Sequence, residues 1–165
     1  MAITKILARK GRLDVGIRYV LNGDKTQEQI LTAHLNCEPG REVRQMLETK
    51  AQYGKEDGIQ YYHMIQSFRP GEVSPELALE IAQTLVEEHL PGYQAVIGVH
   101  VDKEHIHAHI IFNSVNADTG EKYHSSPQSY YRQIRAISDR LCREHGLSVI
   151  LEGQGARAVS YAEWL

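Results

Sequence analysis

The segment HVDKEHIHAHIIFN, residues 100–113, carries four of the nine histidines in the chain. Successive side chains of a β-strand point to opposite faces of a sheet. Three histidines therefore share one face of a predicted strand: His105, His107 and His109. Four apolar side chains share the other face: Ile106, Ala108, Ile110 and Phe112. The stretch predicts a strand with one core face and one row of imidazoles.

A second predicted strand, Tyr93–His100, comes just before His105–Ser114, close enough for the two to form a hairpin. A four-residue turn at Val101–Glu104 sets three opposed pairs: His100 with His105, Gly98 with His107, and Val96 with His109. In this register Gly98 leaves room opposite His107. Opposed and diagonal neighbours lie roughly 5 to 8 Å apart, so three imidazoles can converge on one cation, with either His100 or His105 as the third ligand.

The predicted ligand set has an open character. Three imidazoles without a carboxylate or thiolate leave coordination positions vacant, whereas structural zinc sites are closed and usually contain cysteine. Neutral imidazoles also leave a divalent ion its full charge, which suits a Lewis acid acting on phosphate. Asp102, in the turn, is either a carboxylate that orients one imidazole or an ordinary turn former.

Tyr19 lies away from the apolar stripe of the predicted helix Leu13–Asn22. That stripe follows helical spacing and consists of Leu13, Ile17, Val20 and Leu21. The hydroxyl of Tyr19 can therefore face another surface. A phenol is mostly protonated at neutral pH, so a tyrosine nucleophile needs a nearby cation or base. The histidine hairpin and Tyr19 make chemical sense together.

The rest of the chain mixes strands and helices. Further strands are predicted at Ile3–Ala8, Gln29–Leu35, Ile59–Phe68 and Leu147–Leu151, and further helices at Arg41–Tyr53, Pro75 to His89 (with Ser74 as N-cap) and Pro127 to His145. Interspersed elements with a tight hairpin predict an α+β fold: an antiparallel or mixed sheet of about five strands, covered on one side by helices. The length of 165 residues fits one domain.

Composition excludes some classes of protein. Hydrophobic residues at 42% and charged residues at 24% are ordinary for a soluble domain. No apolar run is long enough to span a bilayer, and two isolated cysteines, Cys37 and Cys142, favour a reducing, cytoplasmic compartment. The net charge of −3 argues mildly against a protein that coats duplex DNA. A basic group nevertheless stands near the N-terminus: Lys5, Arg9, Lys10, Arg12 and Arg18.

Three segments resemble the conjugative relaxases of the HUH endonuclease class. HVDKEHIHAHIIFN resembles their third motif, HxDxxHxHxHxxxN. IRYVLNGDKT resembles the first motif, which carries a tyrosine nucleophile, and MIQSFRPGEVSPELA resembles the segment between the two. Tyrosine before histidines is the relaxase order, and the P-type mobilisation relaxases are the most similar group. The resemblance runs from Lys5 to Leu151.

This resemblance implies specific chemistry. Tyr19 would attack the scissile phosphodiester, keep the 5′ phosphate and release a 3′-OH. The metal ligands would be His100, His107 and His109, which leaves Asp102, His105 and Asn113 in supporting positions. The implied cofactor is a divalent ion, Mg²⁺ or Mn²⁺, with Zn²⁺ as a further candidate. Glu72 would accept the tyrosine proton or support a metal ligand, and the alternative is an acidic residue that only stabilises the first turn of a helix.

The resemblance also implies partners. The substrate would be single-stranded or hairpin DNA at an origin of transfer on a bacterial plasmid or integrative element, with the N-terminal basic group contacting phosphates. Accessory mobilisation proteins and a coupling protein are expected, and no insertion into a membrane. We expect residues 1–165 to form a single relaxase domain with an antiparallel sheet and flanking helices, as the N-terminal part of a longer protein.

Two other functions compete with this one. HUH replication initiators and some transposases carry the nucleophile on a helix after the histidines, where this chain has Tyr130 and Tyr131. A protein that binds metal but no nucleic acid is the second alternative, although it leaves the tyrosine segment unexplained.

Overall fold

The computed structural model describes residues 2–26, 31–102 and 104–149, except for the side chain of Tyr131. Five strands form one sheet in the order β1-β3-β5-β4-β2, and every neighbouring pair is antiparallel. The strands are β1 Ala2–Arg9, β2 Thr32–Leu35, β3 Tyr61–Phe68, β4 Ala95–His100 and β5 Ile106–Asn113. The predicted α+β fold with an antiparallel sheet is confirmed. The histidine-bearing β5 is its central strand.

The helices are α1 Leu13–Val20, α2 Glu42–Gln52, α3 Pro75–His89, α4 Pro127–Ser129 and α5 Arg135–Glu144. Ser74 caps α3 as predicted, because its hydroxyl oxygen accepts a hydrogen bond from Leu77 N at 3.1 Å. The predicted helix from Pro127 to His145 is confirmed in position. A π-helical turn, Tyr130–Ile134, joins α4 to α5.

Helices pack on both faces of the sheet, so the expectation that they cover one side is wrong. The larger core lies between the sheet and α3 and α5, and its buried side chains include Met64, Phe68, Ile81, Leu85, Ile97, Ala108, Ile110 and Phe112. A smaller core joins the opposite face to α1 and α2 through Leu13, Ile17, Val20, Met46, Tyr61, Val96 and Ile111. Each amphipathic helix needs a surface on which to bury its apolar stripe, and α3 and α5 fill only one face.

The hairpin register differs from the predicted one by two residues. His100 pairs with His107, and Gly98 pairs with His109. Val101 leaves the ladder, since its N–H donates to the carbonyl of Lys25 at 2.8 Å, and the connection is therefore longer than four residues. A shift of two residues keeps every side chain on its face, so the predicted row of imidazoles survives.

Two predicted strands differ from the structure at their ends. β2 begins at Thr32, and the predicted start at Gln29 lies outside the described residues. The strand predicted at Leu147–Leu151 is wrong for residues 147–149, which are irregular, and its last two residues lie outside the described part. Leu147 and Val149 still pack against the larger core, which explains their apolar character.

Candidate active site

Three buried histidines lie side by side on the hairpin face that α1 partly covers. His100 stands opposite His107, and His109 is two residues further along β5. The ring centroids of His100 and His109 are 4.2 Å apart, and those of His107 and His109 are 5.9 Å apart. The structure therefore brings together the three histidines that the relaxase motif implies as ligands.

His105 is outside this row. It precedes Ile106, the first residue of β5, and its ring centroid is 6.4 Å from that of His107. In the observed register His100 faces His107, so the predicted pairing of His100 with His105 is wrong. The ring centroid of His100, by contrast, lies 4.2 Å from that of His109, which favours His100 over His105 as the third ligand.

A histidine that sequence reasoning missed joins the row from the neighbouring strand. His63, on β3, places its Nε2 atom 2.9 Å from Nδ1 of His109, and the two ring centroids are 5.1 Å apart. A usable signal was present in the alternation of β3, because Tyr61, His63 and Ile65 share one face. Only the pairing of β3 with β5 shows that this face is the histidine face.

Burial keeps two of these rings neutral. It lowers the pKa of His109 far below the usual range, and the nearby His100 adds to that effect. Burial, followed by the charge of Arg9, lowers the pKa of His63 to about 4. At neutral pH each ring therefore carries one N–H and one nitrogen lone pair, and a lone pair is what a metal ligand requires.

Tyr19 packs directly on the histidine row. Its ring centroid is 5.2 Å from that of His100, 5.4 Å from that of His109 and 6.4 Å from that of His63. The side chain remains 45% exposed, since α1 buries its opposite side. A molecule in solvent can thus reach the phenol beside the imidazoles.

Gly98 is the reason that α1 can approach so closely. A Cβ atom at this position would lie 2.0 Å from the carbonyl oxygen of Val20, the last residue of α1. The same carbonyl accepts a hydrogen bond of 2.9 Å from Nε2 of His100. Gly98 therefore makes room for the end of α1. The predicted register instead placed Gly98 opposite His107, where it would have made room for that ring.

Lys25 connects the loop after α1 to the turn of the hairpin. Its ammonium is 2.6 Å from a carboxylate oxygen of Asp102 and 5.9 Å from the ring centroid of Tyr19. The ion pair with Lys25 lowers the pKa of Asp102 and raises that of Lys25. Asp102 thus holds a lysine beside Tyr19, a contact that its expected roles as imidazole orienter or turn former did not include.

An open groove with a volume of about 970 Å³ runs between β1 and α1 and reaches the histidine row. Its lining is mainly apolar and includes Leu7, Val15, Tyr19, Tyr61, His63, Ile65, His107 and His109. Val15, like Tyr19, is an exposed large side chain. An apolar lining that includes tyrosine rings suits the faces of nucleic-acid bases.

The predicted N-terminal basic group divides into parts. Arg9 and Lys10 line the groove. Arg12 instead binds both carboxylate oxygens of Asp14, at 3.1 and 2.6 Å, and Arg18 lies 3.9 Å from the same carboxylate. Lys5 is outside the groove and borders a shallow depression on the far side of β1.

Two further predicted site residues hold other parts of the fold. The carboxylate of Glu72 accepts a hydrogen bond from the backbone N–H of Ser148 at 2.9 Å. Asn113 is fully buried, donates to Met46 O at 3.0 Å, and accepts a hydrogen bond from Lys50 Nζ. Neither residue is among those that line the groove.

The alternative nucleophile Tyr130 faces away from the histidines. Its hydroxyl donates to the carbonyl of Thr4 at 2.8 Å. Thr4 pairs with Gln66 across the sheet, and Gln66 binds Ser138 of α5, so this contact lies on the α5 side. Tyr130 therefore sits across the sheet from the imidazoles. The side chain of Tyr131 lies outside the described part.

The ring nitrogens of His100, His107 and His109 are donors of the type that binds divalent cations. No group of three histidine, cysteine or acidic side chains within the described ranges has the spacing of a bound ion. However, Nε2 of His100 and Nδ1 of His109 each bind a partner within the protein. Metal-binding histidines generally engage their second ring nitrogen in this way. The rings of His100, His107 and His109 thus form a nitrogen donor set that fits a divalent cation.

Comparison with known proteins shows the family of this chain. The chain matches the family described as "Relaxase: MobA/VirD2-like, nuclease domain" over residues 19–147. It is 38% identical over 163 residues to Protein rlx of Staphylococcus aureus, covering 99% of this chain and 50% of that protein. It is 33% identical over 124 residues to the group II intron-interrupted relaxase LtrB of Lactococcus lactis, covering 67% and 22%.

A solved structure shares the fold. It comes from work on the molecular basis of vancomycin resistance transfer in Staphylococcus aureus, and it aligns with a TM-score of 0.60 at 13% identity over 90% of this chain and 96% of that one. The family match covers most of the chain, residues 19–147. This chain belongs to the family of MobA/VirD2-like relaxase nuclease domains.

The first relatives are longer proteins. The chain spans 50% of one Protein rlx and 36% of another. Within the described residues, no helix has the length and apolar character needed to cross a membrane.

Proposed function

We propose that this domain nicks single-stranded DNA at an origin of transfer, with Tyr19 as the nucleophile, for conjugative mobilisation of a plasmid or integrative element. The observation that carries the proposal is the Tyr19 ring packed against His100 and His109 at the end of an open groove. Membership of a relaxase nuclease family supports DNA as the substrate.

The reaction is a transesterification. The phenolic oxygen of Tyr19 attacks the scissile phosphorus, an O–P bond forms, and the bond from phosphorus to the 3′ oxygen breaks. The 5′ phosphate stays on Tyr19 and the 3′ oxygen leaves as a hydroxyl group. The proton that the exposed phenol loses to water balances the one that the 3′ oxygen gains. Formation of a covalent intermediate divides the transfer into two easier steps.

Three residues hold the divalent cation in this proposal: His100, His107 and His109. A bound Mg²⁺ or Mn²⁺ supplies positive charge that polarises a phosphate oxygen. Hydrogen bonds fix the orientation of two of these rings: His100 binds the carbonyl of Val20, and His109 binds His63. Tyr19 lies above two of these rings, so the phenol and the phosphate would meet at the edge of the histidine row.

Basic side chains bind the phosphates on either side of the cut. Arg9 and Lys10 line the groove, and Lys25 places its ammonium near the ring of Tyr19. Such contacts supply affinity that falls as salt rises. Accessory mobilisation proteins and a coupling protein would act on the full relaxase.

Glu72 has a structural role in this proposal. Its carboxylate accepts the N–H of Ser148 and so ties the start of α3 to the segment after α5. The proton from Tyr19 therefore passes to solvent, to which the phenol is open.

The test is a nicking assay. The domain is incubated with Mn²⁺ and an oligonucleotide from the transfer origin of its own element, and a denaturing gel separates the products. We expect the downstream fragment to be linked to the protein through its 5′ phosphate and the upstream fragment to be released with a free 3′-OH. Tyr19→Phe should abolish both products, because it removes only the attacking oxygen.

The matched control is Tyr130→Phe, the same substitution on the other side of the sheet. It should leave nicking within about twofold. If Tyr130→Phe loses the covalent product while Tyr19→Phe remains active, the nucleophile is Tyr130 and the proposal is wrong.

A further inference from the structure

His63 makes a contact that the nicking reaction does not use directly. Its Nε2 atom lies 2.9 Å from Nδ1 of His109. The two residues come from adjacent strands, with His63 opposite Ile111 and His109 opposite Ile65. The contact is thus set by the β3–β5 register, which the large core on the opposite face holds in place.

A hydrogen bond between two neutral imidazoles has two possible forms. In the first, Nδ1–H of His109 donates to Nε2 of His63, and the lone pair of His109 is on Nε2. In the second, Nε2–H of His63 donates to Nδ1 of His109, whose own proton then sits on Nε2. Which nitrogen carries the proton decides which nitrogen can bind a cation.

We propose that His63 is a positioning residue of the cation site: it accepts the Nδ1 proton of His109 and so directs the Nε2 lone pair of that ring toward the cation. This rests on the proposed function, in which His109 is a ligand. The partner of His100 acts in parallel, because the carbonyl of Val20 can only accept a proton from that ring. A partner of this kind fixes both the tautomer and the orientation of a ligating histidine.

The geometry argues against His63 as a fourth ligand. Its Nε2 atom is already directed at His109. His63 also lines the groove together with His109, so it stands between the histidine row and β1. Removing the hydrogen-bonding nitrogen should therefore weaken cation binding without removing a ligand.

The first experiment measures Mn²⁺ affinity by electron paramagnetic resonance, in a Tyr19→Phe background so that turnover plays no part. Partners of ligating histidines are typically worth 10- to 100-fold in affinity, and His63→Phe should lose about that much. His63→Gln should recover most of the loss, because its amide oxygen can accept the same proton. His89→Phe is the matched control, since His89 binds Tyr123 within the core on the other side of the sheet.

The second experiment needs no metal. Nitrogen-15 spectra of the imidazoles should show His109 with its proton on Nδ1, and His63→Phe should shift that ring toward a mixture of tautomers. Unchanged Mn²⁺ affinity in a folded His63→Phe variant, or His109 protonated on Nε2 in the parent, would overturn the inference. Failure of nicking alone would count against Tyr19 and leave these two readouts decisive for His63.

Discussion

The two faces of the sheet are built for different tasks. One face is sealed by α3 and α5 over a continuous apolar core. The other holds a small apolar cluster beneath α1 and α2, and beside it lie the imidazoles, the exposed Tyr19 and the open groove. β5 contributes to both, with Ala108 and Ile110 on the sealed face and His107 and His109 on the open one.

This difference explains how buried polar rings are tolerated in so small a domain. The sealed face supplies most of the buried apolar area and therefore most of the stability. The open face can then hold closely spaced histidines that add little to the stability of the fold. Changes on the two faces should separate into effects on stability and effects on chemistry.

The largest expected effect is on the sealed face. Phe112→Ala removes a fully buried ring that stacks on Tyr62, and it should lower the free energy of unfolding by about 3–5 kcal/mol. Urea denaturation followed by circular dichroism measures this. His107→Ala, on the open face of the same strand, should cost about 1 kcal/mol or less. Equal losses would show that the histidine row also supports the fold.

The second effect concerns Lys50, a residue of α2 whose side chain is buried and whose ammonium binds Asn113. Burial, assisted by the charge of Lys122, lowers the pKa of Lys50 to about 8. Between that value and the ordinary lysine value the unfolded chain binds more protons, so the free energy of unfolding should rise with pH across this window. The full rise is about 3 kcal/mol.

Comparison of the parent with Lys50→Met isolates this contribution, because both proteins share all other titrations. The parent-minus-variant difference in unfolding free energy should increase from pH 8 to pH 10.5, with urea midpoints measured at each pH. A difference that stays constant with pH would mean that Lys50 keeps its proton in the folded protein throughout this range.

The third effect concerns the close packing of the end of α1 against Gly98. Gly98→Ala places a methyl group against the carbonyl of Val20, so the end of α1 must move away from the histidine row. Overpacking of this kind costs about 1–3 kcal/mol, and a displaced nucleophile can cost about 100-fold in rate. Single-turnover nicking measures the rate. Val99→Ala, the next residue but on the sealed face, should lose stability and keep its nicking rate.

The smallest effect concerns Lys25, the cation beside Tyr19. Lys25→Met should lower kcat/KM for an origin oligonucleotide about tenfold, or about 1.4 kcal/mol, and should reduce the salt dependence of binding by about one phosphate contact. Arg44→Met, which breaks an exposed ion pair with Glu48 on α2, is the control and should change neither quantity. If the salt dependence of binding is unchanged in Lys25→Met, Lys25 does not bind a phosphate and only stabilises the turn that contains Asp102.

The faces on which side chains lie could be predicted from the amino-acid sequence. Alternation along HIHAHIIF separates imidazoles from core residues in any register that shifts by two, so the wrong turn length left the predicted site intact. The spacing of Leu13, Ile17 and Val20 likewise directed Tyr19 away from the apolar stripe. Both patterns are local, and they follow from the geometry of one strand and one helix.

The distant residues that complete the site became known only from the packing of strands and loops. His63 and Lys25 lie on different segments from the histidine motif, and they reach it because β3 pairs with β5 and because Val101 binds the loop after α1. Glu72 and Asn113 were directed to other contacts by the same packing. These contacts join residues that are far apart in the chain. A periodic pattern in the sequence cannot predict them, because their distances depend on how the sheet and the helices pack around the two cores.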